Sequence, residues 1–142
     1  MSQAGVIDNL HFARAALEKR GVLGPEQLPR LAKMHCSTQG LEYHLRGGKA
    51  SNGKRCLRFS VRGSVQVLCQ RCLDPLPVPI AIDAELQLAE NLREIAEADD
   101  EIDRVLASRR MDVGQLVEDE VILALPMVPR HETCMHPPVA RV

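Results

Sequence analysis

Leu57-Arg58-Phe59-Ser60-Val61-Arg62-Gly63-Ser64-Val65-Gln66-Val67 is the most regular alternation of apolar and polar residues in the chain. Leu57, Phe59, Val61, Val65 and Val67 share one side, and Arg58, Ser60, Arg62, Ser64 and Gln66 the other. A period of two over this length is the mark of a strand with one face in a core and one in water. Gly63 falls on the apolar side, where a missing side chain predicts a bulge or sharp bend.

The same period continues on both sides. Leu41, Tyr43 and Leu45 alternate with Glu42, His44 and Arg46, and the turn-rich stretch from Gly47 to Gly53 joins them to the central run. Beyond it, Val78, Ile80, Ile82, Leu86 and Leu88 alternate with Pro79, Ala81, Asp83, Glu85 and Gln87. Prolines at the start place that end of the strand at a sheet edge, since proline cannot donate to a ladder. Ile102 to Leu106 is a candidate for a further strand. Helical spacing frames the strands. Asp8 can cap a helix running to about Arg20, with Leu10, Ala13 and Leu17 on one face and Gly21 as a left-handed stop. Leu28, Leu31 and Ala32 suit a helical turn that Pro29 limits. Asp112 and Gln115 form a capping-box pattern ahead of Val113, Leu116, Val117, Val121 and Ala124, and Pro126 ends that helix. The expected architecture is α+β: an antiparallel β-meander, as a sheet or a partly closed barrel, packed with an N-terminal and a C-terminal helix. It reads as a single domain over residues 1–142, with a mobile acidic segment at about 89–103 and an irregular tail at 129–142.

Composition narrows the function. A chain of 142 residues, 45% hydrophobic and 26% charged, has enough apolar surface for one core and is not disordered as a whole. Its net charge of -1 conceals two opposed halves. Residues 1–71 carry twelve Lys and Arg against four Asp and Glu, and residues 72–142 carry six against fifteen. Phe12, Tyr43 and Phe59 are the only aromatics, which excludes a platform on which nucleic-acid bases stack. The five cysteines are odd in number and follow no basic, apolar leader, so the reading is a cytoplasmic protein with reduced thiols. The longest apolar stretch, Val121 to Val128, is interrupted by Pro126 and too short for a bilayer, so no membrane partner is expected.

Three groups of residues could carry chemistry. Cys69-Gln70-Arg71-Cys72 lies between two expected strands, at a hairpin tip. Two thiolates at this spacing can meet on one Zn2+, with Cys134 as a third ligand and His131 or His136 as the fourth. A tight turn with two reduced thiols and no metal is the alternative. Redox chemistry of the thioredoxin type would need a helix N-terminus beside the thiols, and strands flank them instead. Arg55, Arg58 and Arg62, with Arg71 near the far end of the strand, could form a phosphate-binding stripe together with Arg46, Lys49 and Lys54. The residues alone favour a solvated face, or one neutralised by the acidic half, since exposed strand faces are often charged. Glu118-Asp119-Glu120 cannot all share one helical face and so do not make a carboxylate pair for acid–base catalysis. Glu120 falls nearest the apolar side, with Arg71 as a candidate partner, whereas Glu118 and Asp119 read as solvated. No motif for a phosphate loop, nucleophile elbow or zinc protease is present. No enzyme is expected.

Cys69-Gln70-Arg71-Cys72-Leu73, an acidic middle, and Val117-Glu118-Asp119-Glu120-Val121-Ile122-Leu123-Ala124-Leu125-Pro126-Met127-Val128-Pro129 with His131 and Cys134 together resemble the YceD family, the large ribosomal RNA subunit accumulation proteins. The likeness extends to the opening Ile7-Asp8 and the Gly21-Val22-Leu23 link. The resemblance implies a non-enzymatic factor for accumulation or processing of large-subunit (23S) ribosomal RNA. Many relatives carry paired cysteines in the tail that would complete a four-cysteine zinc site, where this chain has Cys134 flanked by His131 and His136. The working expectation is an RNA contact through Arg55, Arg58, Arg62 and Arg71. Two further readings are a module binding a basic ribosomal protein through the acidic 83–103 segment, and a thiol-redox protein using Cys69 and Cys72.

Overall fold

The computed structural model describes residues 5–96, 103–126 and 129. It is α+β, with an open sheet and no closed barrel. Five strands form the sheet in the order β2 (Glu18–Leu23), β3 (Leu41–Lys49), β4 (Arg55–Leu68), β5 (Pro75–Ala89) and β6 (Arg104–Leu106). The first four pair antiparallel, as a meander should. β6 runs parallel to β5, because the chain crosses back past a short helix, α3 (Leu92–Ala96), before rejoining the sheet.

Register follows the alternation in the sequence. Leu57, Phe59 and Val61 stand opposite Leu86, Ala84 and Ile82 on one side and Gly47, Leu45 and Tyr43 on the other. This row is the inner face. It is covered by α1 (Asn9–Arg14), α2 (Pro29–Lys33) and α4 (Val113–Ala124), which insert Phe12, Leu31, Val113, Val117 and Val121 into the core.

Several local expectations change. The first helix stops at Arg14 rather than near Arg20; Ala16 turns into left-handed backbone at φ 51°, and residues 18–23 pair with β3 as an edge strand. Leu10, Ala13 and Leu17 do have helical spacing, but β3 has a free edge whose ladder bonds outweigh one more helical turn. Gly21 is therefore a strand residue, and a Cβ there would come within 2.8 Å of the Tyr43 hydroxyl oxygen. Gly63 makes no bulge. Its ladder runs unbroken from Leu41 through Gly63 to Ile80. The glycine is needed for close approach instead, since a Cβ would lie 2.8 Å from Leu41 Cδ2.

Pro75, Pro77 and Pro79 occupy alternate positions of β5, so their missing donors all fall on one edge. Among the described residues only Gln87, Leu88 and Ala89 of β5 are paired on the side away from β4, and the proline end stays at the sheet edge as expected.

A small second sheet was not legible beforehand. β1 (Val6–Ile7) pairs with β7 (Met111–Asp112) and joins the start of the chain to the start of α4. Asn9, 0% exposed, reinforces this junction. Its Oδ1 accepts from the Ser108 N–H at 2.8 Å and its Nδ2 donates to the Leu106 carbonyl at 3.1 Å.

Candidate nucleic-acid interface and the Glu118 anchor

The outer face of the sheet bears the charges. Arg58 stands opposite Glu85 and its guanidinium lies 3.2 Å from that carboxylate, while also donating to the Lys49 carbonyl at 3.0 Å. Arg62 reaches diagonally to Asp83, making two bonds of 3.0 and 2.8 Å, and donates to the Ile82 carbonyl. His44 Nε2 approaches Glu18 at 3.5 Å. The acids that meet the arginines thus come from β5 itself, at the start of the 83–103 segment.

Of the four arginines expected to form a stripe, Arg58, Arg62 and Arg71 are exposed and Arg55 is half-buried. They do not converge. Arg55 opens β4 and Arg71 lies beyond its other end, and a 14-residue strand spans roughly 45 Å.

The cations that do gather lie around the β3–β4 turn. Arg46 is directly opposite Arg58 on the outer face, with Glu18 opposite it on β2, and Lys49 is directly opposite Arg55 on the other face. Facing residues on paired strands hold their Cβ atoms about 4.5–5.5 Å apart, and like charges there repel. Lys54 adds a fifth cation on the turn. The turn is closed by the Ala50 N–H donating to the Lys54 carbonyl at 2.8 Å. Asn52 Nδ2 ties it to Gln87 Oε1 on β5 at 3.1 Å. Beneath it Cys56 is fully buried, and that burial pushes its thiol pKa up. A groove of about 400 Å³ runs beside this end, lined by His44, Arg46, Arg58, Ser60, Asp83 and Glu85.

Cys69 and Cys72 occupy the opposite tip, in the turn between β4 and β5, and both are buried. The Arg71 N–H points at Cys69 Sγ at 3.4 Å, and Leu73 adopts left-handed backbone at φ 63°. The Gln70 N–H donates to the Pro129 carbonyl at 2.8 Å, which fastens the chain beyond α4 to this tip. Among the described residues no group of three or more His, Cys, Asp or Glu converges on a metal-sized site. His131, Cys134 and His136 lie outside the described residues.

The acidic triplet behaves differently from its sequence reading. Glu118, expected in solvent, is the buried one at 3% exposure, whereas Asp119 is exposed and Glu120 half-buried. Glu118 Oε2 accepts from the backbone N–H groups of Arg30 and Leu31 at 2.9 and 3.2 Å. Its Oε1 accepts from Arg30 Nε at 2.9 Å. α2 begins with Pro29, and its N-cap Leu28 has no side chain able to accept a bond. Glu118 supplies the missing cap from a distant helix. Arg30 continues to Asp119 and to the Gln115 carbonyl. Its bond to Glu118 and then that to Asp119 raise the Arg30 pKa above its ordinary value. Arg30, not Arg71, is therefore the cation that answers this helix. The signal in the sequence was the uncapped Leu28-Pro29 start, which needs an acceptor from elsewhere.

A protein-family model described as large ribosomal RNA subunit accumulation protein YceD matches residues 57–142. The chain belongs to the YceD family. The match runs from Leu57 within β4 to the C-terminus, including the Cys69–Cys72 turn and the Glu118 helix; β1 to β3 and the first two residues of β4 lie outside it, so it is narrower than the likeness read from the sequence. The family's name associates it with accumulation of large-subunit ribosomal RNA. No solved structure matches the chain. No helix among the described residues is long and apolar enough to cross a membrane.

Two predictions follow from the YceD helix. Glu118→Ala should lower unfolding free energy by about 2–3 kcal/mol, because it removes charge-assisted bonds to two backbone donors. Asp119→Ala, at an exposed ion pair, should cost less than about 1 kcal/mol in the same urea titration. Equal losses for the two would contradict the capping role. Glu120 titrates above its ordinary 4.5, first through burial and then through Asp103 and Asp119. Its protonated form is favoured by folding, so its contribution is fully present below the unfolded pKa and is lost as pH rises through the raised value. Glu120→Gln should therefore stabilise the protein at pH 7, with the gain shrinking as pH falls towards 4, as measured by thermal unfolding across pH.

Proposed function

We propose that this YceD-family protein is a non-enzymatic factor that supports accumulation of large-subunit ribosomal RNA by contacting RNA phosphates with the cations around its β3–β4 turn. The observation carrying this reading is the like-charge pair beside the turn, Lys49 opposite Arg55, with Lys54 next to it. Facing cations weaken the sheet that holds them, and such local conflicts belong where a binding function compensates. A phosphate placed among them would relieve the repulsion and release its counterions. With only three aromatics in the chain, affinity would come from the backbone of the RNA rather than from its bases. In this reading Arg58 contributes jointly with Glu85, Arg62 is largely satisfied by Asp83, and Arg71 lies too far away to join the same contact.

The reading that uses the acidic 83–103 segment for a basic ribosomal protein loses Asp83 and Glu85, which already face Arg62 and Arg58. A thiol-redox role draws no support from Cys69 and Cys72, which sit between two strands without a helix N-terminus to lower a thiol pKa. The cytoplasm, where ribosomal RNA accumulates, is the compartment that fits this function.

Zn2+ forms a second part of the proposal. The Cys69–Cys72 turn has a backbone N–H directed at a cysteine sulfur and a left-handed residue after the second cysteine, features suited to two converging thiolates. Pro129, bonded to this tip, precedes His131 by two residues and Cys134 by five. Cys134 and His131 would complete the shell, with His136 as the substitute for His131. A closed shell of this kind is structural, holding the tail to the hairpin.

Replacing Arg46, Lys49, Lys54 and Arg55 together by Gln should weaken binding to ribosomal RNA about tenfold or more near 100 mM salt and flatten its salt dependence. The variant should be at least as stable as the parent, since repulsion is removed. Unchanged RNA co-purification and an unchanged salt slope would overturn the proposal. For the metal, native protein should carry about one Zn2+ per chain by elemental analysis, and Cys69→Ser and Cys134→Ser should each lose it. Absence of zinc from protein purified without chelators would remove this part of the account.

A further inference from the structure

On the helix-covered side of the sheet, a cleft of about 410 Å³ separates the approach to α2 from the first turns of α4. Its lining includes Glu26, Gln27, Arg30, Asp112, Gln115 and Glu118. Two features of this cleft have no counterpart within the described residues. The first is a donor. Gln27 is 8% exposed, and its Oε1 accepts from the Gly24 N–H at 2.8 Å, which fixes the orientation of the amide. Its Nε2 is thereby committed to donating, and it is buried without an acceptor. A buried donor left unpaired costs about 1–3 kcal/mol, so an acceptor supplied from outside would be favoured there.

The second feature is charge. Arg30 is matched by Glu118 and Asp119, so its cation is already consumed. Glu26 and Asp112 remain as carboxylates with no cation paired to them among the described residues. Asp112 accepts only from the Gln115 N–H, a cap that leaves its charge unneutralised. The cleft is therefore acidic at its rim with a neutral donor on a buried wall.

We infer that this cleft binds a basic polypeptide segment, with an Arg or Lys side chain between Glu26 and Asp112 and a peptide carbonyl on Gln27 Nε2. One residue of such a segment carries both the cation and the acceptor. A polyamine offers cations without a carbonyl. A nucleic acid offers acceptors, but its phosphates would meet Glu26, Asp112, Glu118 and Asp119. The site is separate from the basic β3–β4 end, and loss of the RNA contact would leave it intact.

The test uses the full chain labelled for amide NMR and a blocked decapeptide carrying four arginines, at low salt. Saturable shifts should centre on Glu26, Gln27 and Gln115. The same peptide with citrulline in place of arginine should bind at least about tenfold more weakly, as should the parent peptide to a Glu26→Gln, Asp112→Asn variant, where Asn preserves the helix cap. Gln27→Met should weaken the peptide about threefold or more while leaving spermidine unchanged, a split that general loosening of the fold would not produce. The Gln variant of Arg46, Lys49, Lys54 and Arg55 should bind the peptide normally. Shifts confined to the 83–103 segment, equal binding by citrulline peptide, or spermidine and peptide responding alike to Gln27→Met would each overturn the inference.

Discussion

The carboxylate of Glu118 on the first turn of α2 is the interaction on which the helical layer depends. α2 has five residues, a length at which a helix does not persist in water unaided. It starts with a proline after a leucine, so it can cap itself with nothing. One carboxylate from α4 accepts from both available backbone donors and from the Arg30 side chain. With α2 held, Leu28 and Leu31 close the core, and α4 lays Val113, Val117 and Val121 over the inner face of the sheet. The β1–β7 pair and the buried Asn9 then tie the start of the chain to the same end of α4. A charged residue within an apolar helix is thus a structural joint between two elements distant in sequence.

On the other side of the sheet the middle strands carry charges, and electrostatics rather than packing gives that face a character. Arg58 and Arg62 are met by Glu85 and Asp83 on the neighbouring strand and Arg46 stands opposite Glu18 of β2, while Lys49, Lys54 and Arg55 make no ion pair among the described residues. The opposed charge balances of the two halves of the chain therefore resolve unevenly. The middle of the sheet is neutralised across strands, and the turn end keeps an excess of cations. Membership of the YceD family gives that excess a context, since large-subunit ribosomal RNA is a dense array of phosphates.

Much of the fold was legible in the sequence because period two is a strong signal over long strands. β3, β4 and β5, their faces, the Asp112 cap and the end of α4 ahead of Pro126 all follow from residue patterns. The first helix was overextended because Leu10, Ala13 and Leu17 fit a helical face equally well, and only the unsatisfied edge of β3 makes 18–23 a strand. Gly63 was misread because a glycine in a strand marks either a bulge or a close approach, and the neighbour that distinguishes them, Leu41, lies on another strand. The site was legible by residue type but not by grouping. Arg55 and Arg71 look near in a list and stand at opposite ends of a long strand. Glu118 and Glu120 exchanged places because the buried arc of α4 includes Gly114, whose lack of a side chain hides its face from any hydrophobic pattern. The cleft at Gln27 could not be seen at all, since it depends on a loop and a helix 85 or more residues apart coming together.

The most direct measurement is photocrosslinking in growing cells from a benzophenone side chain placed at position 54, on the β3–β4 turn, with position 123 on the exposed outer side of α4 as the reference. The account predicts large-subunit ribosomal RNA, or its precursor, joined to position 54 well above the level at position 123. Recovery of protein alone from position 54, or equal RNA from both positions, would contradict it.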